Sequence, residues 1–302
     1  LLAAGPLLQA QDKDAAPAME ATEVAAVLPI GENTERVYLV AVSKLNLVYL
    51  KVKGSLNQKR QLRAEVDAIY FYEPLPFKEA LHLYESRDYE GAKAAFAACQ
   101  ESYKFLDTLP GNYSTLAAFY QIECARQLED YAGMMELLGE FQSGPLAPKT
   151  HHQQLDLCPL WDAVGKKDWS RALTLVGERL GGDKTWTNGQ LAQLYYCQGL
   201  ALENTGEESK ALDVYNKAFT VDYAASARIA RNAVIGCLRI YRNMEGVKRA
   251  IAQWGTEEEN RTSAGFAALQ EAVALCDLWK RAPGSGQALP EEYSALLKYK
   301  AE

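Results

Sequence analysis

From about residue 77 to 253, apolar positions recur every three or four residues, the period of amphipathic helices, and short polar turns interrupt them. The clearest stretch is Leu191–Tyr223, two helices broken at Asn204-Thr205-Gly206. Small residues there, Gly199, Ala211 and Ala218, stand where two helix axes must approach, and Tyr215 fills the space beside them. The turn recurs at Asp88-Tyr89, Asp130-Tyr131, Asp168-Trp169, Glu207-Glu208 and Asn243-Met244. Stepping back eight residues from each turn, and forward four, eight and eleven, gives nearly uniform small or apolar slots. They are Ala80, Ala92, Phe96 and Cys99; Ile122, Met134, Leu138 and Phe141; Leu160, Ala172, Val176 and Arg179. The fourth set is Gly199, Ala211, Tyr215 and Ala218, and the fifth Ile235, Val247, Ile251 and Trp254.

Before this region the period is two. Val37–Val42, Leu45–Val52, Gln58–Arg63 and Ala68–Tyr72 alternate as short strands, with a turn at Gly54–Asn57. Pro74-Leu75-Pro76 marks the switch to helix, since proline suits a helix start and not a central strand. After Gly255, the pattern predicts one helix over Glu257–Arg281, stopped by Pro283-Gly284-Ser285-Gly286, and a short last helix from Pro290. The sequence therefore divides into a tail (1–30), a small β module (31–74), five helical hairpins (75–256) and capping helices (257–302).

The Gly199/Ala211/Tyr215/Ala218 ladder resembles the tetratricopeptide (TPR) repeat, a helix–turn–helix unit of about 34 residues. The spacings between turns, 42, 38, 39 and 36 residues, exceed that period, and only the fourth unit carries the glycine and both alanines. The resemblance implies a mainly α fold, a right-handed solenoid of hairpins whose first helices line a concave groove for a peptide or partner protein. In that register Phe119, Glu123, Arg126, Gln193, Tyr196, Leu200, Glu203 and Asn204 face the groove. The strand order, ending in the Glu65–Phe71 run, resembles an SH3-like or Sm-like mini-barrel.

Composition adds three constraints. The chain has 302 residues, 48% hydrophobic and 24% charged, enough for a large core. No run approaches the ~18 apolar residues of a membrane-spanning helix. The net charge of −7 disfavours nucleic acid or an anionic membrane as the main partner. Yet Arg36 to Arg63 holds seven basic residues and no acid, so the remainder carries −14. Lys44, Lys51, Lys53, Lys59, Arg60 and Arg63 could form a polyanion-binding face, with Tyr38 and Tyr49 for stacking. They could equally block edge-to-edge strand pairing, or dock on an acidic solenoid.

Catalytic signatures are missing: the sequence holds no phosphate loop, nucleophile elbow or HExxH. The six cysteines fall about one per helical unit, without CxxC spacing, as buried small residues do; a disulfide set or metal site fits less well. His151-His152 open a helix, adjacent and so about 100° apart, a poor chelate, and His82 stands alone. Asn112-Tyr113-Ser114 and Asn260-Arg261-Thr262 match the glycosylation sequon. Leu1–Leu8 with Gln9-Ala10 resembles the end of an export signal. The expectation is a non-enzymatic scaffold without cofactor or metal that binds a protein or peptide. It would be exported by a bacterium to the periplasm or envelope; a cytoplasmic location is the alternative. Polyanion or nucleic-acid binding by the β module is the competing function.

Overall fold

The structure, a computed structural model, describes residues 23–30, 33–66, 68–221, 227–281 and 287–301. The export-like start and most of the predicted tail lie outside the described residues, as does the Pro283–Gly286 helix stop. The chain is mainly helical with one antiparallel sheet, and it divides into two compact units, one ending at Ala118 and one beginning at Phe119.

The first unit contains the sheet and a helical hairpin. Strands β1 (Val24–Ile30), β2 (Asn33–Val42), β3 (Asn46–Leu50), β4 (Lys59–Leu62) and β5 (Tyr70–Phe71) lie in the order β4-β3-β2-β1-β5, all pairs antiparallel. A 3-10 turn at Arg63–Glu65 carries the chain back, so that β5 pairs with β1. Val24 sits opposite Leu39, and Leu39 opposite Tyr49; with Ala26, Leu28, Val37 and Leu47 they make one buried apolar face. The tail expected to run to residue 30 thus ends earlier, in β1. Its alanines and Pro29 hide the alternation of Val24, Ala26 and Leu28 that buries one side of the strand.

Helices α1 (Leu75–Glu85) and α2 (Tyr89–Ser102) follow. Phe77 packs between Phe96 and Tyr113, at ring-centroid distances of 5.4 and 4.8 Å, and Tyr113 meets Phe71 of the sheet edge-on. Arg63 ties the 3-10 turn to the segment that follows this hairpin by donating to the Thr108 hydroxyl and carbonyl oxygens. Asn112 is buried, with its amide nitrogen donating to the Leu109 carbonyl and its oxygen accepting from the Thr115 N–H, which leaves no room for a glycan on the folded chain.

Helix α3 (Tyr113–Gln127) leads into α4 (Tyr131–Glu140), α5 (Lys149–Leu155), α6 (Cys158–Gly165) and α7 (Trp169–Leu180). Then come α8 (Asn188–Asn204), α9 (Glu208–Val221), α10 (Ala227–Asn243), α11 (Glu245–Gln253), α12 (Ala264–Arg281) and α13 (Glu291–Ser294), with a closing 3-10 turn over Ala295–Tyr299. Alternate helices pack on one another, α6 on α8, α8 on α10 and α10 on α12, and α7, α9 and α11 each pack on the two helices that flank them in sequence.

Local chemistry explains the turns. Arg87, Glu129 and Lys167 each take a left-handed conformation, at φ of 71°, 62° and 56°. The next residue caps the following helix: Asp88, Asp130 and Asp168 accept from the N–H groups of Gly91, Gly133 and Arg171. The fifth turn differs. Its N-cap is Met244, one residue later, so the small contact residue on α10 is Gly236 and not the expected Ile235. Residues 257–263 are not helical either. The Glu259 carboxylate folds back to accept from the Gly255 N–H, and Asn260 and Ser263 make a turn that starts α12 only at Ala264.

Tyr215 shows what the glycines do. Its ring is fully buried between α8 and α10, and a Cβ added at Gly199 or Gly236 would lie 2.5 or 2.6 Å from its carbons. Gly199→Ala is therefore expected to cost about 1–3 kcal/mol by overpacking, read as a lower urea midpoint. Gly177→Ala, on α7 where an added Cβ meets nothing within 4 Å, should stabilise by about 0.5–1 kcal/mol, read as a higher midpoint.

Candidate functional site

The row expected to open onto a groove is instead an internal seam of the second unit. Phe119, Glu123, Arg126 and Gln193 are 3%, 5%, 4% and 5% exposed, and the three polar side chains hydrogen-bond within the chain. The Arg126 guanidinium, on the same face of α3 one turn along, meets the Glu123 carboxylate at 2.7 Å. Gln154 of α5 donates to Glu123 Oε1 and to Gln193 Oε1, both at 3.1 Å, and Gln193 returns a bond to Gln154 Oε1 at 3.0 Å. The Trp161 indole N–H, from α6, donates to Gln193 Oε1 at 2.9 Å, and Arg126 lies over the Trp161 ring. Arg228 of α10 closes the seam by donating to Glu129 Oε1 and to the Arg126 carbonyl.

An aromatic file continues across the helices. Tyr131 stacks on Trp161, Trp161 meets Tyr196, and Tyr196 meets Tyr215, with centroids 5.8, 6.1 and 6.1 Å apart. Burial pushes the Tyr196 hydroxyl up to about 12. Tyr215 is raised further, first by burial and then by donating its hydroxyl hydrogen to the Glu203 carboxylate at 2.7 Å. Glu203 also holds Arg239, whose Nε and Nη2 lie 2.5 and 2.6 Å from its two oxygens. Leu200 packs on the adjacent core, and the exposed Asn204 amide donates to the Leu200 carbonyl. The eight expected groove residues thus share one region, but seven are taken up in holding helices together, and Asn204 alone is exposed.

The basic residues of the first unit separate. Lys44, Lys53, Lys59 and Arg60 are exposed; Lys51 pairs with Glu35 at 2.5 Å, and Arg63 serves the Thr108 contact. Tyr49, expected to stack on a ligand, is 4% exposed inside the sheet core, and Tyr38 is half-buried beneath the Arg36 guanidinium.

His151 stacks on Phe119 at 4.2 Å with planes 9° apart, and its Nδ1 is buried without a hydrogen-bond partner. Burial holds its pKa below the ordinary value, against the opposing pull of Glu123. All six cysteines are buried free thiols; burial pushes Cys99 up to about 11 and Cys158 and Cys237 up to about 12. Among the described residues, no group of three or more His, Cys, Asp or Glu side chains could hold a metal ion, and no helix is long and apolar enough to cross a membrane.

One open concavity of the second unit was not foreseen. A groove of about 870 Å³ runs over α9, the end of α10 and α12. Its apolar lining is Leu212, Met244, Ala268, Leu275 and Leu278, and Asp213 and Glu271 stand on it without a lysine or arginine among the lining residues. The only sequence signal was on α9, where Ser209, Asp213 and Asn216 share the face opposite the small-residue ladder. Comparison with protein-family models, curated proteins and solved structures finds no match for this chain.

Removing Glu123 should leave a buried guanidinium without its counter-charge, so Glu123→Gln is expected to cost about 3–5 kcal/mol in urea unfolding. Stability should also fall as pH drops below about 6.5, because the unfolded chain binds the His151 proton first. His151→Gln should flatten that part of the pH profile, and an unchanged slope would show that other groups set it.

Proposed function

We propose that this protein is a non-catalytic interaction scaffold, a right-handed TPR-like solenoid carrying an SH3-like β module, which binds a basic, apolar segment of a partner protein. The helical reading is supported by repeated turn chemistry and by alternate helices stacking from α6 to α12. The β-module reading is supported by a four-strand meander followed by a fifth strand that returns beside the first after a 3-10 turn.

The observation that carries the binding reading is the groove on α9, α10 and α12. Its apolar lining offers burial, Asp213 and Glu271 offer negative charge, and no lining residue neutralises them. Glu271 is oriented by the Tyr241 hydroxyl, which donates to it. An amphipathic helix with a lysine or arginine beside its apolar stripe matches this lining in both polarity and sign. The buried seam, in this reading, keeps the hairpins in one register and so keeps the groove preformed.

Peptide display against the full chain tests this. Enriched sequences should combine spaced apolar residues with at least one Lys or Arg. Their affinity should fall about tenfold or more on Asp213→Lys, which reverses a surface charge, and on Ala274→Arg, which fills the groove from an exposed position. Peptides that bind both variants as tightly as wild type would place the interaction elsewhere.

A further inference from the structure

Large exposed apolar side chains are concentrated in one part of the molecule. Of eight among the described residues, seven lie between Leu45 and Leu75, and the most exposed is Leu56, at 98%. Leu56 sits in the β3–β4 loop with Val52, which is 68% exposed. The loop reads Lys51-Val52-Lys53-Gly54-Ser55-Leu56-Asn57-Gln58, and Lys59 and Arg60 open β4. Backbone bonds shape the loop: the Ser55 N–H donates to the Val52 carbonyl, and the Gln58 N–H to the Leu56 carbonyl. Gly54 takes φ of 74°, and its N–H donates to the Glu23 carboxylate. The two nearby acids are both engaged, Glu23 on that N–H and Glu35 on Lys51. Among the described residues, no ion pair involves Lys53, Lys59 or Arg60.

We propose that this loop is a peripheral membrane tip, which seats Leu56 and Val52 among the headgroups of an anionic bilayer while Lys53, Lys59 and Arg60 meet lipid phosphates. Three features favour a bilayer over other occupants. The apolar side chains stand outward on a turn, so a protein partner would need a matching pocket, whereas the interface of a bilayer accepts any small apolar protrusion. The cations border the apolar residues, as an anionic surface requires. A soluble polyanion would use the lysines and leave Leu56 in water. The chain's net charge of −7 does not oppose this contact strongly, since charges more than about 8–10 Å away are screened at physiological ionic strength.

The test is co-sedimentation of the full chain with phosphatidylcholine vesicles, with and without phosphatidylserine. Binding is expected only with phosphatidylserine and should weaken as salt rises. Leu56→Ser, at a position with almost no contacts to lose, should lower partitioning on the order of tenfold. Lys53→Glu with Lys59→Glu should remove it. No binding to phosphatidylserine vesicles overturns the proposal. So does binding that Leu56→Ser leaves unchanged and that heparin competes away, because the loop would then be a site for soluble polyanions.

Discussion

A charge buried in a protein interior must be answered by another charge and by hydrogen bonds, and most of the second unit is arranged around one such demand. Glu123 and Arg126 lie on one turn of α3, both almost fully covered. Either charge left without the other there would carry a desolvation cost of several kcal/mol. Gln154 on α5 donates to the Glu123 carboxylate, and it shares Gln193 on α8 with the indole of Trp161 on α6. Four helices are therefore indexed to one ion pair, and the amides permit little slippage, because a shift of one helical turn would strand several donors at once. Apolar packing supplies most of the driving force for folding, but it is tolerant of register; the polar seam is not.

The same division between filling and indexing recurs at Tyr215. Its ring occupies the space left by two glycines, while its hydroxyl joins Glu203 and Arg239. The body of the side chain fixes how closely α8, α9 and α10 approach. The polar end fixes their rotation. Tyr241 on α10, which lines the groove of α9, α10 and α12, belongs to the same apolar core as Tyr215.

Much of this was legible in the sequence, for local reasons. An aspartate that caps the helix it begins carries its own explanation, so the turns at Asp88, Asp130 and Asp168 could be read directly. Met244 caps with no side-chain bond, and the contact residue on α10 was consequently placed one residue out, although Val247, Ile251 and Trp254 pack on the core as expected. Glu257 to Glu259 reads as an acidic first turn, but Glu259 reaches back to a backbone N–H, an alternative that periodicity does not register. The hardest feature to read was the direction of the Glu123, Arg126 and Gln193 row. A helical period shows that side chains share a face. It does not say whether that face meets solvent or another helix, and the helix that covers it, α5, begins more than twenty residues after Arg126.

The cysteines carry a consequence of a different kind. Cys99, Cys124, Cys158, Cys197, Cys237 and Cys276 belong to α2, α3, α6, α8, α10 and α12, and every one is sequestered as a free thiol. Each can react with a soluble reagent only when its own stretch of the chain opens. The protein thus contains a distributed set of internal timers, one for each of six helices. Their separate rates of modification would resolve whether the repeats open one by one from an end or melt as a single cooperative block.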